Sequence, residues 1–398
     1  MPVRDNKHSS ELPFLFRYSG AASFLAMNVP INDLQRVFRS NEAALTDAVQ
    51  SVLATGWWLN GRQHELFCKE FAGYVGTSKC IGVANGTDAL EIAMRTLIDV
   101  RELDRTEVVT VPNAGGYSTI ACRVLGLVPV YADIDEQTQL ADLDSVLSCV
   151  GDNTAFVLAT HLYGGAIDVG RLRQMLDTNG YTAIPILEDC AQAHGARSNG
   201  TVVGGLGDIA AFSFYPTKNL GALGDAGAIL TSGEDLAQAA MSLRQYGWEE
   251  KYRVVSSGGR NSRMDEIQAA ALRVLLPRLN DNNAKRRRVL KAYIEAAPKG
   301  VTVVDAGEGS VAHLAVLLCE DRDSLRAYLG SRGVGTDVHY PILDCDQEAW
   351  QSLPYKIAPS GVPVARRCVD QILTIPCFPE MTDAELDQVC DALSSWQK

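Results

Sequence analysis

From residue 65 to residue 230 short apolar runs alternate with amphipathic stretches, and this alternation leaves few folds open to the chain. Helical spacing marks 65–74 and 87–98. Strand-like runs occupy 79–84, 107–111, 128–131, 154–160, 183–187, 209–214 and 226–230. Strands separated by crossovers long enough to return the chain to the same end pair in parallel, so the pattern predicts an α/β fold with a mainly parallel sheet. Beyond residue 264 the pattern changes to long helical segments through 297, broken at Pro277. Strand-like 312–318, helix-like 323–329 and a final helix over 383–393 follow, which reads as a smaller α+β unit. The expected organisation is an N-terminal extension (1–27), a large domain (28–275) and a small C-terminal domain (276–398).

At 398 residues the chain can bury an ample core. A formal net charge of −12 disfavours nucleic acid and anionic membrane as partners, because phosphate-rich surfaces repel it on average. Ten cysteines are scattered with no CxxC pair, so reduced thiols in a cytoplasmic setting are expected. Cys190 and His194 have a metal-like spacing, but two ligands do not make a site, and no metal is expected. No run approaches a membrane span; the first apolar piece, Pro13-Phe-Leu-Phe16, is interrupted at once by Arg17.

Two segments place an ionisable group after a buried-looking strand: Leu187-Glu-Asp-Cys-Ala-Gln-Ala-His194 and Phe212-Ser-Phe-Tyr-Pro-Thr-Lys-Asn-Leu-Gly221. Singly, Lys218 reads as a surface charge and Asp189 as a turn or helix cap. Together they are the two groups that pyridoxal 5'-phosphate requires. The amine of Lys218 forms a Schiff base with the aldehyde, and the carboxylate of Asp189 keeps the pyridine nitrogen protonated. A third segment, Ile81-Gly-Val-Ala-Asn-Gly-Thr-Asp-Ala-Leu90, runs from a strand through small residues into a helix. Unpaired N–H groups and the positive end of the helix dipole there suit a phosphate, with Gly86 allowing close approach and Thr87 adding a donor. An ordinary turn and N-cap is the plain alternative.

The stretch 187–229 resembles the signature of the DegT/DnrJ/EryC1/StrS sugar aminotransferases, a branch of the fold-type I pyridoxal phosphate enzymes, and the likeness extends from about residue 28 to the C-terminus. It implies a mainly parallel seven-stranded sheet in the large domain. It also implies that Gly86, Thr87, Asp88 and Ser213 hold the cofactor phosphate, and that Asn261 reaches the phosphate of a partner subunit in a homodimer. Tyr117, in Val111-Pro-Asn-Ala-Gly-Gly-Tyr-Ser-Thr119, is the expected stacking aromatic, although this loop departs from the commoner Thr-Phe form and a packing role suits the ring equally. Gln192 is expected beside the ring, and His161 is a weaker neighbour that serves equally well as a buried, satisfied histidine.

L-glutamate is the donor the family implies, with ping-pong kinetics. The acceptor it implies is a nucleotide-linked keto-deoxysugar. Leu243-Arg-Gln-Tyr-Gly-Trp248, His339-Tyr-Pro-Ile-Leu343 and Ile372-Leu-Thr-Ile-Pro-Cys-Phe-Pro-Glu-Met381 look most like the subgroup aminating dTDP-3-keto-6-deoxyhexoses, with His339, Tyr340 and Trp248 as candidate substrate contacts. Trp248 and Tyr340 serve equally well as packing residues. Amination at C-4 and a non-catalytic cofactor-binding regulator on the same fold remain the alternatives; Lys218 argues against the dehydratases of the family, which lack the lysine.

Overall fold

Seven of the apolar runs become strands of one sheet: β1 (Lys79–Val83), β2 (Glu107–Thr110), β3 (Val128–Tyr131), β4 (Thr154–Thr160), β5 (Ile186–Asp189), β6 (Ile209–Ser213) and β7 (Gly227–Thr231). Their order is β1-β7-β6-β5-β4-β2-β3. Neighbours from β6 to β3 are parallel, and β7 runs antiparallel to both β1 and β6. This computed structural model describes residues 29–397, so the expected extension over 1–27 lies outside the described residues.

Two features depart from the sequence expectation. An eighth strand of two residues, Lys356–Ile357, adds in parallel to β3 at the edge of the sheet. β5 begins at Ile186 rather than 183 and includes Asp189 as its last residue, instead of ending before it. Pro185 explains the late start: lacking an N–H, it cannot donate to the ladder, and Ile184 instead closes a turn onto the Tyr181 carbonyl at 3.1 Å.

Strands β4 to β7 are buried along their length because both faces of the sheet are covered. Alternation sorts the side chains: Ile209 and Ala211 of β6 join one core with the helices Gly86–Val100, Tyr117–Val124 and Glu234–Leu243. Ala210 and Phe212 face the other way, toward Glu42–Thr55, Arg62–Val75 and Glu266–Leu275.

After the Pro277 break, a single turn of 3-10 helix over Leu276–Arg278, the helix Leu279–Ala296 leads to a second sheet. This sheet is antiparallel: β8 (Val301–Val303), β9 (Ala315–Cys319) and β10 (Ile372–Ile375). Leu279–Ala296, Arg322–Ser331 and Asp383–Ser394 close over it. The last helix starts with a capping box in which Thr382 and Glu385 satisfy each other's backbone N–H. Two exchanges cross the expected 275/276 division. Val29 bridges Val334 beside the small sheet, and Lys356–Ile357 returns to the large one.

One buried carboxylate ties the sheet to the loop before β6. Glu188 accepts N–H bonds from Gly204 (2.8 Å), Leu206 (2.8 Å) and Gly207 (2.7 Å), and its fourth partner is His161 Nε2 at 3.0 Å. Burial pushes its pKa up, but the bonds from His161, Gly207 and Gly204 outweigh burial and leave it below the usual carboxylate range. Glu188→Ala orphans all four donors. It should lower unfolding free energy by about 3–5 kcal/mol, read from the urea midpoint; a loss under about 1 kcal/mol would show that the loop is held by other contacts.

Candidate active site

The site begins where β1 turns into the helix Gly86–Val100. The Asn85 side chain caps that helix by accepting the Asp88 N–H at 2.8 Å, and the first-turn N–H groups have no intrahelical acceptor. Only glycine fits at 86, since a Cβ there would lie 2.5 Å from Ser213 Cβ and 2.9 Å from its hydroxyl oxygen. A Cβ on Gly227 would come within 2.3 Å of the Asn85 carbonyl. Close approach of β6 and β7 therefore sets the Ser213 hydroxyl beside a helix N-terminus, which is a cradle for an anion. Asp88 would repel that anion, but its carboxylate is paired with Arg260 Nη1 at 3.3 Å. The same guanidinium also pairs with the buried Glu91.

The lysine loop leaves β6 at Ser213 and folds back on itself. Phe214 N–H bonds the Ala226 carbonyl, Ala222 N–H bonds the Phe214 carbonyl and Lys218 N–H bonds the Tyr215 carbonyl, each at 2.8 Å. Gly221 is required for this closure, because a Cβ would lie 2.3 Å from the Pro216 oxygen. Lys218 and Asp189 thereby line one cavity of about 550 Å³, together with Gly86, Thr87, Asp88 and Ser213 at the anion end. Tyr117 and Gln192 line it as well. Eight of the residues expected to hold a cofactor thus converge.

Burial acts on both ionisable groups in the direction of neutrality. It lowers the Lys218 amine to about 8 against the opposing pull of Asp189. It raises Asp189, against the Ala191 N–H bond at 3.0 Å and the Lys218 charge. A low-dielectric pocket thus supplies an amine that is partly neutral near physiological pH, as a proton-transferring base must be.

The neighbours are fixed by their own hydrogen bonds. Gln192 Oε1 accepts the Tyr163 N–H at 2.8 Å, so its Nε2 donates to the Tyr340 hydroxyl at 2.9 Å. Tyr163 holds a left-handed backbone (φ 54) at this point. His161 Nδ1 accepts the Ile167 N–H at 3.0 Å, which leaves Nε2 to donate to Glu188. His161, Glu188 and Cys190 come close together, but both histidine nitrogens and both glutamate oxygens are already engaged.

Four expected residues do not line the cavity. Tyr340 stands behind its wall, bonded to Gln192 and edge-on to Tyr117 with ring centroids 6.2 Å apart. His339 bonds Thr374 through Nδ1 at 2.9 Å, and burial lowers its pKa. Trp248 packs between Tyr246 and Tyr252, at 4.9 and 5.4 Å, over a separate hollow lined by Met241 and Lys251. Asn261 is exposed and bridges Gln245. Conversely, Asn85, Thr160, Tyr215 and Asp225 line the cavity and were not singled out from sequence. Thr160 pairs with Asp189 across β4 and β5, so reading the strands in register is the signal that finds it. Its hydroxyl is buried without a partner. A glycine-walled anion cradle, an orphaned hydroxyl, and a lysine and a carboxylate in one cavity fit pyridoxal phosphate.

The model of the DegT/DnrJ/EryC1/StrS aminotransferase family matches residues 39–394. A dTDP-3-amino-3,4,6-trideoxy-alpha-D-glucose transaminase of Micromonospora megalomicea subsp. nigra is 35% identical over 89% of this chain and 95% of its own length. The erythromycin biosynthesis sensory transduction protein EryC1 of Saccharopolyspora erythraea is 37% identical over 93% of this chain and all (100%) of its own. The solved structure of S. venezuelae DesV in complex with a ketimine intermediate superposes with a TM-score of 0.86 at 34% identity, covering 92% of this chain and 98% of that one.

The depressed Lys218 pKa has a measurable consequence. At pH 8 an ordinary lysine is neutral in less than about 1% of molecules, whereas Lys218 is about half neutral. Reductive tagging with pyridoxal phosphate and borohydride, mapped by peptide, should label Lys218 at a rate that rises through about pH 8 and then levels off. Exposed lysines should keep gaining reactivity to about pH 10. A Lys218 profile that follows theirs would show an unperturbed amine.

Proposed function

Because the chain belongs to the DegT/DnrJ/EryC1/StrS aminotransferase family and is a pyridoxal-phosphate-dependent transaminase, we propose that it carries an amino group from L-glutamate to C-3 of a dTDP-linked 3-keto-6-deoxyhexose, in the biosynthesis of an amino sugar for a surface polysaccharide or a glycosylated metabolite. The observation that carries the chemistry is the convergence of Lys218 and Asp189 with the Gly86/Ser213 cradle in one cavity. The sugar is read from the relatives, among them dTDP-3-amino-sugar transaminases from Streptomyces venezuelae and Aneurinibacillus thermoaerophilus, each 35% identical.

In this reading Gly86, Thr87 and Ser213 would hold the phosphate, Tyr117 would cover one ring face, and Asp189 would meet the ring nitrogen. Bound there, pyridoxal phosphate supplies a ring that accepts the electrons of a broken C–H bond. The Lys218 amine would take the proton from the donor's Cα and return one to the acceptor carbon in the second half-reaction. Asp189 is held ready by Ala191 N–H, and a cationic ring nitrogen stabilises its ionised form against burial. His161, with both nitrogens committed, stays out of the proton transfer. Arg260 neutralises Asp88 and Glu91, so that neither acid opposes the phosphate.

A homodimer with shared sites belongs to the same reading. Tyr252 (77% exposed), Val254 and Trp57 are exposed apolar side chains that a second copy would cover, and the exposed Asn261 would then complete the neighbouring phosphate site. Among the described residues no helix is long and apolar enough to cross a membrane, and the ten cysteines are free thiols.

The test is product NMR after incubation with glutamate and dTDP-keto-sugars. Nitrogen on C-3 is expected; nitrogen on C-4 rejects the position, and turnover of a simple keto acid with no nucleotide sugar accepted rejects the class. Mixing inactive Lys218→Ala and Asn261→Asp proteins should restore part of the activity, since one of the two hybrid sites carries neither defect. Proven subunit exchange without recovery would rule out sharing.

A further inference from the structure

We propose that Asp344 is a positioning residue for the cofactor ring: reaching in from the C-terminal part of the chain, its carboxylate pins the Gly115-Gly116 turn that carries Tyr117 into the cavity. This deepens the reading above and rests on its placing of Tyr117 against the ring.

Asp344 is fully buried. Its Oδ1 accepts the Gly116 N–H at 2.7 Å, and its Oδ2 accepts the Thr119 hydroxyl at 2.9 Å. Thr119 has given its hydrogen to Asp344, so the Tyr131 hydroxyl, 2.8 Å away, donates to it. The backbone adds to the clasp, with Asp344 N–H bonding the Pro112 carbonyl at 2.7 Å. The carboxylate thus spans the turn from both ends.

The turn needs such a restraint. Gly115 and Gly116 are both left-handed (φ 76 and 86), and consecutive glycines leave the backbone many conformations to lose. The helix Tyr117–Val124 has no cap of its own, because its N-cap is Gly116 and no side chain of the cap bonds its N–H groups. Other C-terminal side chains press on the same turn: a Cβ on Gly115 would lie 2.9 Å from the Tyr340 ring, and one on Gly116 would lie 3.0 Å from Trp350. Tyr117 emerges from this grip and meets Tyr340 edge-on.

Stability alone is a poor account of Asp344. Burial pushes its pKa up to about 7, even though Thr119 and Gly116 hold it down. A carboxyl whose folded pKa exceeds its unfolded value makes the fold less stable as pH rises between the two, here from about 4 to about 7. The fold tolerates this cost in return for the one short side chain with two separate acceptor oxygens, one for each donor.

The experiment titrates pyridoxal phosphate into Asp344→Asn, Tyr117→Leu and the double variant, following tryptophan fluorescence and the visible circular dichroism of the bound cofactor. Asparagine replaces one of the two accepting oxygens by an NH2, which faces the Gly116 N–H or the Thr119 hydroxyl as a donor, so Asp344→Asn should weaken binding by roughly tenfold and reduce the visible dichroism, while far-ultraviolet dichroism is retained. In the Tyr117→Leu background the same change should add nothing. Additive losses would mean that Asp344 acts on something other than Tyr117 and would overturn the proposal. An unchanged affinity in Tyr117→Leu would overturn the stacking reading and the proposal with it, which distinguishes the two failures. If Asp344→Asn does not fold, Thr119→Val removes one of the donors: a smaller loss, again absent in the Tyr117→Leu background, is expected, and a loss that persists there refutes the assignment.

Discussion

Four hydrogen bonds converge on Glu188, and the geometry of the site depends on them. Successive side chains of a strand face opposite ways, so Glu188 anchors the loop ahead of β6 while Asp189 enters the cavity. Once the N–H groups of Gly204, Leu206 and Gly207 are held, β6 follows in fixed register, with Leu187 beside Ile209 and Asp189 beside Ala211. That register delivers Ser213 to Gly86 and launches the lysine loop. The fourth partner, His161, is fixed at the end of β4 by its bonds to Glu188 and to the Ile167 N–H. A single buried acid therefore sets the relative positions of Lys218, Asp189 and the anion cradle.

Burial that organises the site also tunes it. Lys218 and Asp189 are both driven toward neutrality by loss of water, with their mutual attraction as the smaller, opposing influence. The same loss of water holds His313 and His194 neutral below the lysine, the second lowered to about 3. Two neutral histidines beside it leave burial as the main influence that lowers Lys218.

The C-terminal segment folds back to finish the cavity from outside. Within six residues His339, Tyr340 and Asp344 touch Tyr163, Gln192, Gly116 and Thr119, all far away in sequence. Val29 and Lys356–Ile357 cross between the two sheets in the same spirit. Movement between the two sheets would therefore be felt at the aromatic wall and also at the lysine loop, where Asn219 bonds Asn283, the Val311 carbonyl and His313.

Local chemistry was legible in the sequence. The seven core strands, the Pro277 break, the final helix and the eight cavity residues follow from periodicity, from small residues at a helix start and from a family signature, all of which are short-range patterns. Tertiary structure alone decided the rest. Pro185 shifted the start of β5, and the two-residue edge strand is too short to leave a periodic trace. Thr160 owes its place to register with Asp189. Trp248 and Asn261 carry the resemblance yet sit on the surface of one chain, where a sequence gives no measure of distance. Arg260 and Asp344 had no local signal at all: a salt bridge or a cap supplied from across the fold depends on which surfaces meet, and that is settled only when the sheet and its C-terminal wrap are packed together.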